Sequence, residues 1–532
     1  MLASVGELDG DPGSARQRGS RPSPAGPANA GPGREPSELR GVAAIAAGDP
    51  ERVALVLPGG SWTFRRLDQA ANGVAQGLAA AGVAPGDRVA VMLGNVPELF
   101  SVHHGVARLG ALVVPVSWRL TAPEIAYILG DSGAAFFVHD GSPAANEAAA
   151  LAGVESADPA DPRIATPSSV PPAEEFLGAP VTAMGYTSGT TGRPKGIVRP
   201  APAPAREAPP QPFARFWGFG PSDVHLLCGP AYHTAPGAYA HMTLVEGGRV
   251  VVMERFDATE CLRLIEAERV TTSHMVPANF VRIVQADWRS FDRSSIRKIL
   301  HAAAPCPVAL KRRVLEVFPP GTLWEYYGAS EGMASVISPE EWLEKPGSVG
   351  RPFPGLEIRI LDDDGKEMPR GEIGAVYIST TPAARFDYHN APEKTRAAWR
   401  DGFFTVGDLG WLDEDGYLFL ADRRNDLIIS GGVNIYPAEV EQAFMEEADV
   451  VDVAVIGLPD DEMGQRVHAL VELRPGTSIG TDELVARVST RLARYKLPRS
   501  VEVVGSLERE PNGKVLKNRL REERSGARRQ AT

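Results

Sequence analysis

Short apolar, β-branched runs alternate with longer stretches whose apolar positions recur every three to four residues. "RVALVLPGG" reads as a strand, "FRRLDQAANGVAQGLAAAG" as an amphipathic helix ending at Gly82, and "RVAVMLG" as a buried strand. "LFSVHHGVARLGA" is again helical, while "LVVPVS" and "AAFFVHD" are strand-like. The rhythm returns after Asp223 with "VHLLC", "RVVVM", "ATECLRLIEAERV", "TTSHMV", "RKILHAAA" and "ALKRRVLEVF". Strands alternating with helices at this spacing imply βαβ units and largely parallel sheets. From Leu356 to Leu420 the pattern changes to short strands between turn signals, as in "LEIRILDDDGKEM" and "YLFLADR", which predicts an antiparallel, barrel-like section. From about Arg424 a further set of helix and strand patterns marks a separate small α+β unit. The predicted fold is therefore α/β. A large N-terminal domain (37–423) holds two βαβ-type sheet subdomains and a small β-barrel section, and a small α+β C-terminal domain (424–532) follows.

Composition changes this picture at two places. Residues 1–36 are rich in Gly, Pro, Ala and Ser and nearly lack large apolar side chains, so they cannot offset their ordering entropy and are expected to form a disordered tail. They also lack the apolar stretch of a signal peptide. Arg199 to Pro212 carries six prolines and is expected to be a surface loop. The chain of 532 residues is too long for a single core. Its net charge of −12 argues against nucleic acid or an anionic membrane as the main partner. Cys228, Cys261 and Cys306 lie far apart without zinc or disulfide spacing, consistent with a reducing, cytoplasmic setting. No apolar run is long enough to span a membrane.

The densest chemical signal is "YTSGTTGRPKG", Tyr186 to Gly196. Its glycines allow backbone amides to crowd inward, and the hydroxyls of Thr187, Ser188, Thr190 and Thr191 add donors, a composition suited to polyphosphate. It is not a Walker loop: Gly189 and Gly192 are wrongly spaced, and Gly196 follows Lys195. The alternative is a plain Gly/Thr-rich hairpin.

This segment resembles the signature of the AMP-forming adenylating superfamily, which includes acyl-CoA synthetases and peptide-synthetase adenylation domains. Further segments resemble that family's motifs in order: "LHAAAPCP" (300–307), "EYYGASEG" (325–332), "FFTVGDLG" (403–410), "DRRNDLIISGGVNIYPAEVE" (422–441) and "PNGKVLK" (511–517). The resemblance implies ATP-dependent activation of a small carboxylic acid to an acyl-adenylate, with transfer to coenzyme A. The alternative acceptors are the phosphopantetheine of an acyl carrier protein or an amine. It also implies that the small domain is mobile, rotating between the two half-reactions.

Carried over residue by residue, the resemblance gives these expectations. The loop Thr187, Ser188, Gly189, Thr190, Thr191, Gly192 and Lys195 holds the ATP phosphates. Ala303, Ala304, Glu325, Tyr326, Tyr327 and Ser330 line the adenine side, the alternative for the two tyrosines being plain core. Asp408 and Arg423 reach the ribose. Glu331 holds Mg2+, a hard cation that needs oxygen ligands. Lys514, on the small domain, is the catalytic lysine that bridges carboxylate and α-phosphate. Asn425 occupies the hinge position, where Lys or Asp is usual, and Gly431 and Gly432 flank the coenzyme A path. Glu508 and Glu510 stand where Pro and Thr are common. His233, in "PAYHTAPG", is either a gate to the acyl site, an aid to the incoming thiol, or a buried hydrogen-bonded histidine. Trp217, Gly332, Met333 and Ala334 are the expected acyl-side residues, a mix that permits an aromatic, medium-chain or cyclic acid. No Asp stands where amino-acid-activating relatives anchor an amine, which favours a plain carboxylic acid.

Overall fold

The structure, a computed structural model, describes residues 41–172, 176–187, 194–199, 212–423, 426–431, 433–460, 462–510 and 513–529. The tail 1–36, most of the Pro-rich segment and the tip of the Gly/Thr-rich motif lie outside the described residues.

The apolar runs identified above form the centre of a large sheet. Strands Val53–Leu57, Arg249–Val252, Val224–Leu227, Thr272–Met275, Lys298–His301 and Leu323–Ala329 lie side by side, each parallel to the next. Parallel neighbours require crossovers. The helix Ala258–Ala267 is one such link, started by Asp257, whose carboxylate accepts from Glu260 N at 2.8 Å. Cys261, Leu262 and Ile265 of that helix are buried against Leu226, Val251 and Ile299 of the sheet. A second parallel sheet runs in the order Leu112–Pro115, Arg88–Met92, Phe136–His139 and Ser156–Ala157. Two βαβ-type sheets are thus present, as the alternation predicts.

The antiparallel section is present too, but it is not a detached barrel. Gly332–Ile337 returns antiparallel to Leu323–Ala329 and pairs with Ser348–Pro352, which pairs with Leu418–Arg423. The parallel sheet therefore runs continuously into the antiparallel strands. A small three-stranded sheet joins Tyr186–Thr187, Lys195–Val198 and Asp387–Tyr388.

The C-terminal unit has its own sheet, built on the long antiparallel pair Val450–Asp460 and Gly464–Leu473, with Ser500–Val504 added in parallel. Its core, including Ile428, Val440, Phe444, Val455, Val467 and Leu484, is separate from those of the larger body. It meets that body where Val308 N donates to Gln442 Oε1 at 3.1 Å.

In the parallel sheet, the carboxyl ends of neighbouring strands lead into Cys228–His233, Val276, Ala302–Ala304 and Ser330–Glu331. In open α/β sheets this edge is where ligands bind.

Candidate active site

Lys514 arrives at that edge on a tight turn. Gly513 has φ +82°, a conformation that favours glycine, and an added Cβ would lie 3.1 Å from Val276 Cγ2. Arg509 and Val515 form a β-bridge, and Glu510 N donates to Lys514 O at 2.8 Å. Arg509 makes a two-pronged ion pair with Asp452, at 2.6 and 2.7 Å, and also donates to Gly513 O at 2.7 Å. The turn is thereby tied to the rigid strand pair of the small domain while its tip packs on the large one.

His233 faces the same place. It precedes the helix Thr234–Val245 in extended conformation, and its buried Nε2 has no hydrogen-bond partner among the described residues. Burial, followed by the nearby charges of Lys514 and Arg119, lowers its pKa to about 4, so the imidazole is neutral at physiological pH. Its loop is fixed by Asn95, whose amide donates to Gly229 O at 3.0 Å and Met253 O at 2.8 Å and accepts from Ala231 N at 2.8 Å. At Gly237 any Cβ would come within 2.3 Å of Ala231 O, so only glycine lets the helix start this close to the loop. Nothing in the pattern around Asn95 marked it, because its partners lie more than a hundred residues away.

The residues expected on the nucleotide side gather around the adjacent strand ends. Ala303 is exposed and has φ +77°, a strained conformation for a residue with a Cβ. Tyr327 donates its hydroxyl to Asp408 Oδ2 at 2.5 Å, tying the adenine-side and ribose-side motifs together. Ser330 Oγ lies 3.4 Å from Thr234 Oγ1, linking that cluster to the His233 helix. Arg199 Nη2 donates to the carbonyls of Ser330 and Glu331 at 2.6 and 3.1 Å and so fixes the turn that carries Glu331. The Glu331 side chain is buried and its Oε1 accepts from the Tyr388 hydroxyl at 2.8 Å. Lys195 Nζ lies 5.0 Å from the centre of the Tyr388 ring. Burial, then repulsion from Lys394, lowers the Lys195 pKa, and attraction to Glu331 opposes this. A buried carboxylate with cations nearby is a donor set of the kind Mg2+ and phosphate oxygens require. Tyr388, Lys394 and Arg199 carried no recognisable motif; the strand pairing Tyr388↔Ile197 is what brings Tyr388 here.

Thr187 pairs with Lys195 across an antiparallel ladder, so the Gly/Thr-rich motif is built on a two-stranded hairpin. Its tip residues, Ser188, Gly189, Thr190, Thr191 and Gly192, are outside the described residues, as are Asn425 and Gly432. Arg423 pairs through its backbone with Asp408. Gly431 has φ +58° in the turn between Ile428–Ser430 and Val433–Ile435, and its backbone N–H donates to Met463 O. Ala304 follows Ala303 on the same strand-end segment.

Four of the expected residues are set apart from this group. Glu325 is turned into the interior: it is buried in an ion pair with Lys311 at 2.5 Å, beneath Trp342. Tyr326, one residue on, points to the other side of the strand and hydrogen-bonds His274 Nε2 at 2.9 Å inside an aromatic cluster. Ala334 and Gly332 turn away from the acyl side. Ala334 packs in the core of the antiparallel section, and a Cβ at Gly332 would meet Phe404 at 2.9 Å. Alternation along the strand separates them from Met333, which does pack on the aromatic cluster.

The chain matches two family models, AMP-binding enzyme over residues 42–385 and AMP-binding enzyme C-terminal domain over residues 439–514. It is 36% identical to the long-chain-fatty-acid–CoA ligase FadD13 of Mycobacterium tuberculosis, over 87% of this chain and 93% of that one. It is 33% identical to a fatty acid–[acyl-carrier-protein] ligase of Streptomyces coeruleorubidus, over 89% and 94% of the two chains. Among solved structures, o-succinylbenzoate coenzyme A synthetase of Bacillus subtilis, in complex with ATP and magnesium ion, superposes with a TM-score of 0.77 at 31% identity, covering 90% of this chain and 98% of that one. These matches, over most of its length, show that the chain belongs to the AMP-binding, adenylate-forming enzyme family.

Proposed function

We propose that this protein activates a carboxylic acid with ATP, releasing pyrophosphate, and passes the acyl group from the acyl-adenylate to the thiol of coenzyme A. The observation that carries this reading is the placement of the Lys514 turn: Gly513, beside it, packs on Val276 at the ligand-binding edge of a sheet that belongs to another domain.

The chemistry follows from the groups present. Carboxylate and triphosphate repel each other, so a mobile cation between them lowers the barrier to attack on the α-phosphate. Lys514 supplies that cation on a turn held by Arg509 and Asp452. Asp408 and Tyr327 orient the sugar and base, and Lys195 sits on the phosphate side. Glu331 is the residue that would hold Mg2+, which when bound neutralises charge on phosphate oxygens. The neutral imidazole of His233 borders the carboxyl end, where it can hydrogen-bond the acid or the incoming thiol. We assign the domain boundary to residues 423–424 and place rotation at Asn425, retiring Lys514 before the thiol arrives past Gly431. We place the protein in the cytoplasm: its three cysteines are unpaired, and no helix among the described residues is long and apolar enough to cross a membrane.

The test is Lys514→Ala. Acid-dependent pyrophosphate release should fall by about 100-fold or more, while thioester formation from supplied acyl-adenylate stays near the wild-type rate. Equal loss of both steps would remove the lysine from its role. The acceptor has a second reading, a carrier-protein phosphopantetheine, which the Streptomyces relative's name favours. Product formation with free coenzyme A against a loaded carrier protein separates the two.

A further inference from the structure

The hairpin that carries Lys195 rests on a helix outside every motif. Helix Ala122–Ser132 opens on a capping box, in which Thr121 N donates to Glu124 Oε2 at 2.8 Å, and it ends at Gly133 in the left-handed conformation. Ile125, Ile128 and Leu129 bury one side of it against Met92, Val114 and Phe137 of the second parallel sheet. Tyr127 and Asp131, four residues apart, share another side. Tyr127 donates its hydroxyl to Pro194 O at 3.3 Å, and Asp131 Oδ2 accepts from the Tyr186 hydroxyl at 2.6 Å. These two bonds hold both legs of the hairpin and flank its Thr187↔Lys195 pair. A Cβ at Gly196 would meet Met184 Cε at 2.3 Å and the Tyr186 ring at 3.1 Å, so the last glycine of the motif leaves room for that ring.

Asp131 also reaches the third strand of the small sheet. His389 Nε2 lies 2.9 Å from the Asp131 carbonyl, which accepts from it, and Asn390 Nδ2 stands 3.4 and 3.5 Å from that carbonyl and from Oδ1. His389 N in turn donates to Gly196 O at 2.8 Å. The residue before it, Tyr388, bonds Glu331 and lies under the Lys195 ammonium. Carbonyls in the last turn of a helix have no partner within it, and a carboxylate there opposes the helix dipole. The Asp131 side chain therefore does not serve its own helix; it serves the two segments that it joins.

We infer that Asp131, aided by Tyr127, is a positioning residue for the phosphate side of the site: acting through Tyr186 and His389, it sets Lys195 against the Tyr388–Glu331 pair. The inference rests on the reading of Lys195 and Glu331 as the groups that meet the ATP phosphates and Mg2+. Lys195 stands on a two-stranded hairpin, which is marginal by itself and takes its place from what it packs on. Without the Asp131 carboxylate, the Tyr186 leg and the Tyr388 strand lose their common anchor, and the ammonium and the carboxylate drift apart. That loss bears on ATP and pyrophosphate, and not on the thiol step, in which pyrophosphate has already left.

The experiment compares wild type, Asp131→Ala, Asp131→Asn, Tyr186→Phe and the double variant Asp131→Ala with Tyr186→Phe. It reads kcat/KM for ATP in pyrophosphate release with the best acid among acetate, hexanoate, palmitate and benzoate, the thiol step from supplied acyl-adenylate, and MgATP affinity by calorimetry. Asp131→Ala should lower kcat/KM for ATP by about 10- to 100-fold and weaken MgATP binding by at least about 5-fold, with the KM for the acid and the thiol step within about twofold of wild type. Asp131→Asn keeps an oxygen for the Tyr186 hydroxyl and should recover most of the loss. The double variant should be little worse than Asp131→Ala alone, because both changes break one contact. Unchanged kcat/KM for ATP in Asp131→Ala overturns the inference, and so does equal loss of both steps, the mark of a merely structural residue. If Asp131→Ala does not fold, Tyr186→Phe, which removes a single oxygen, decides by the same measures. A wild type that binds MgATP but turns over no acid defeats the ligase reading alone, and the inference then stands or falls on MgATP affinity. A wild type that does not bind MgATP overturns both.

Discussion

Lys311 and Glu325 show how much a single residue's setting decides. Glu325 opens a motif whose Tyr327 bonds Asp408 and whose Glu331 bonds Tyr388, yet its own carboxylate lies in the interior, 2.5 Å from a lysine with no exposed surface. Burial raises the affinity of that carboxyl for a proton, and Lys311 opposes the rise. Removing one partner of a buried pair leaves an uncompensated charge, whereas removing both leaves a cavity that apolar atoms can fill. Lys311→Met should therefore destabilise the protein by about 3–5 kcal/mol in denaturant unfolding, and the double change Lys311→Met with Glu325→Leu should recover most of the loss. The KM for ATP of the double variant should stay within about threefold of wild type, because neither side chain faces the nucleotide. A larger rise would return Glu325 to the binding site. Tyr327, two positions on, offers the contrast, since its hydroxyl bond to Asp408 makes the adenine and ribose sides one unit.

At the scale of elements, the turn that bears Lys514 is held from outside itself. Asp452 lies in the strand Val450–Asp460 and grips Arg509 with both oxygens. Asp452→Ala frees Arg509, loosens the turn and misplaces the ammonium without touching any substrate. A displacement of about 1 Å at a reacting group costs on the order of 100-fold, so pyrophosphate release should fall by about 10- to 100-fold while the thiol step from supplied acyl-adenylate is spared. A drop in both steps together, or in neither, would show that the ion pair serves only the small domain's stability. This coupling was invisible in the sequence: Asp452 and Arg509 are 57 residues apart and belong to no motif. What could be read was local. Alternating runs such as "RVAVMLG" and "VHLLC" became parallel strands because burial on both faces demands apolar residues throughout. The glycine-rich and "SEG" motifs carried their own chemistry. The unread parts of the site, Asn95, Arg199 and Tyr388, owe their roles to pairings between distant segments. The strand phase also misplaced Ala334 and Glu325, because consecutive residues of a strand serve opposite faces.

At the scale of the whole molecule, the buried histidines are a shared liability in acid. His103 Nδ1 lies 2.9 Å from His241 Nε2, and His241 Nδ1 lies 3.4 Å from His104 Nε2, joining the helices Pro97–Arg108 and Thr234–Val245 through a chain of imidazoles. His225 and His274 lie in the parallel sheet, and His301 lies beside Lys311 and Phe280. Burial lowers the pKa of every one, to about 4 for His241 and about 3 for His225 and His274. The groups facing the three-histidine chain add to this: Arg108, paired with Asp68 at 2.6 Å, lowers His104 further. In each case the folded pKa lies below the unfolded value of about 6.5, so the unfolded chain takes up the proton first. Stability from these groups is complete above pH 6.5 and is lost as pH falls toward 4, where a single group such as His241 costs roughly 3 kcal/mol. Glu325, with its raised pKa, works in the opposite direction but is one group against six. Thermal unfolding should give a Tm that is flat from pH 7 to 8 and falls steeply between pH 6.5 and 4.5. The slope should correspond to uptake of more than one proton on unfolding. A Tm unchanged from pH 7 to 5 would mean that these imidazoles keep access to water, and that the interface between the His103 and His241 helices is looser than its packing indicates.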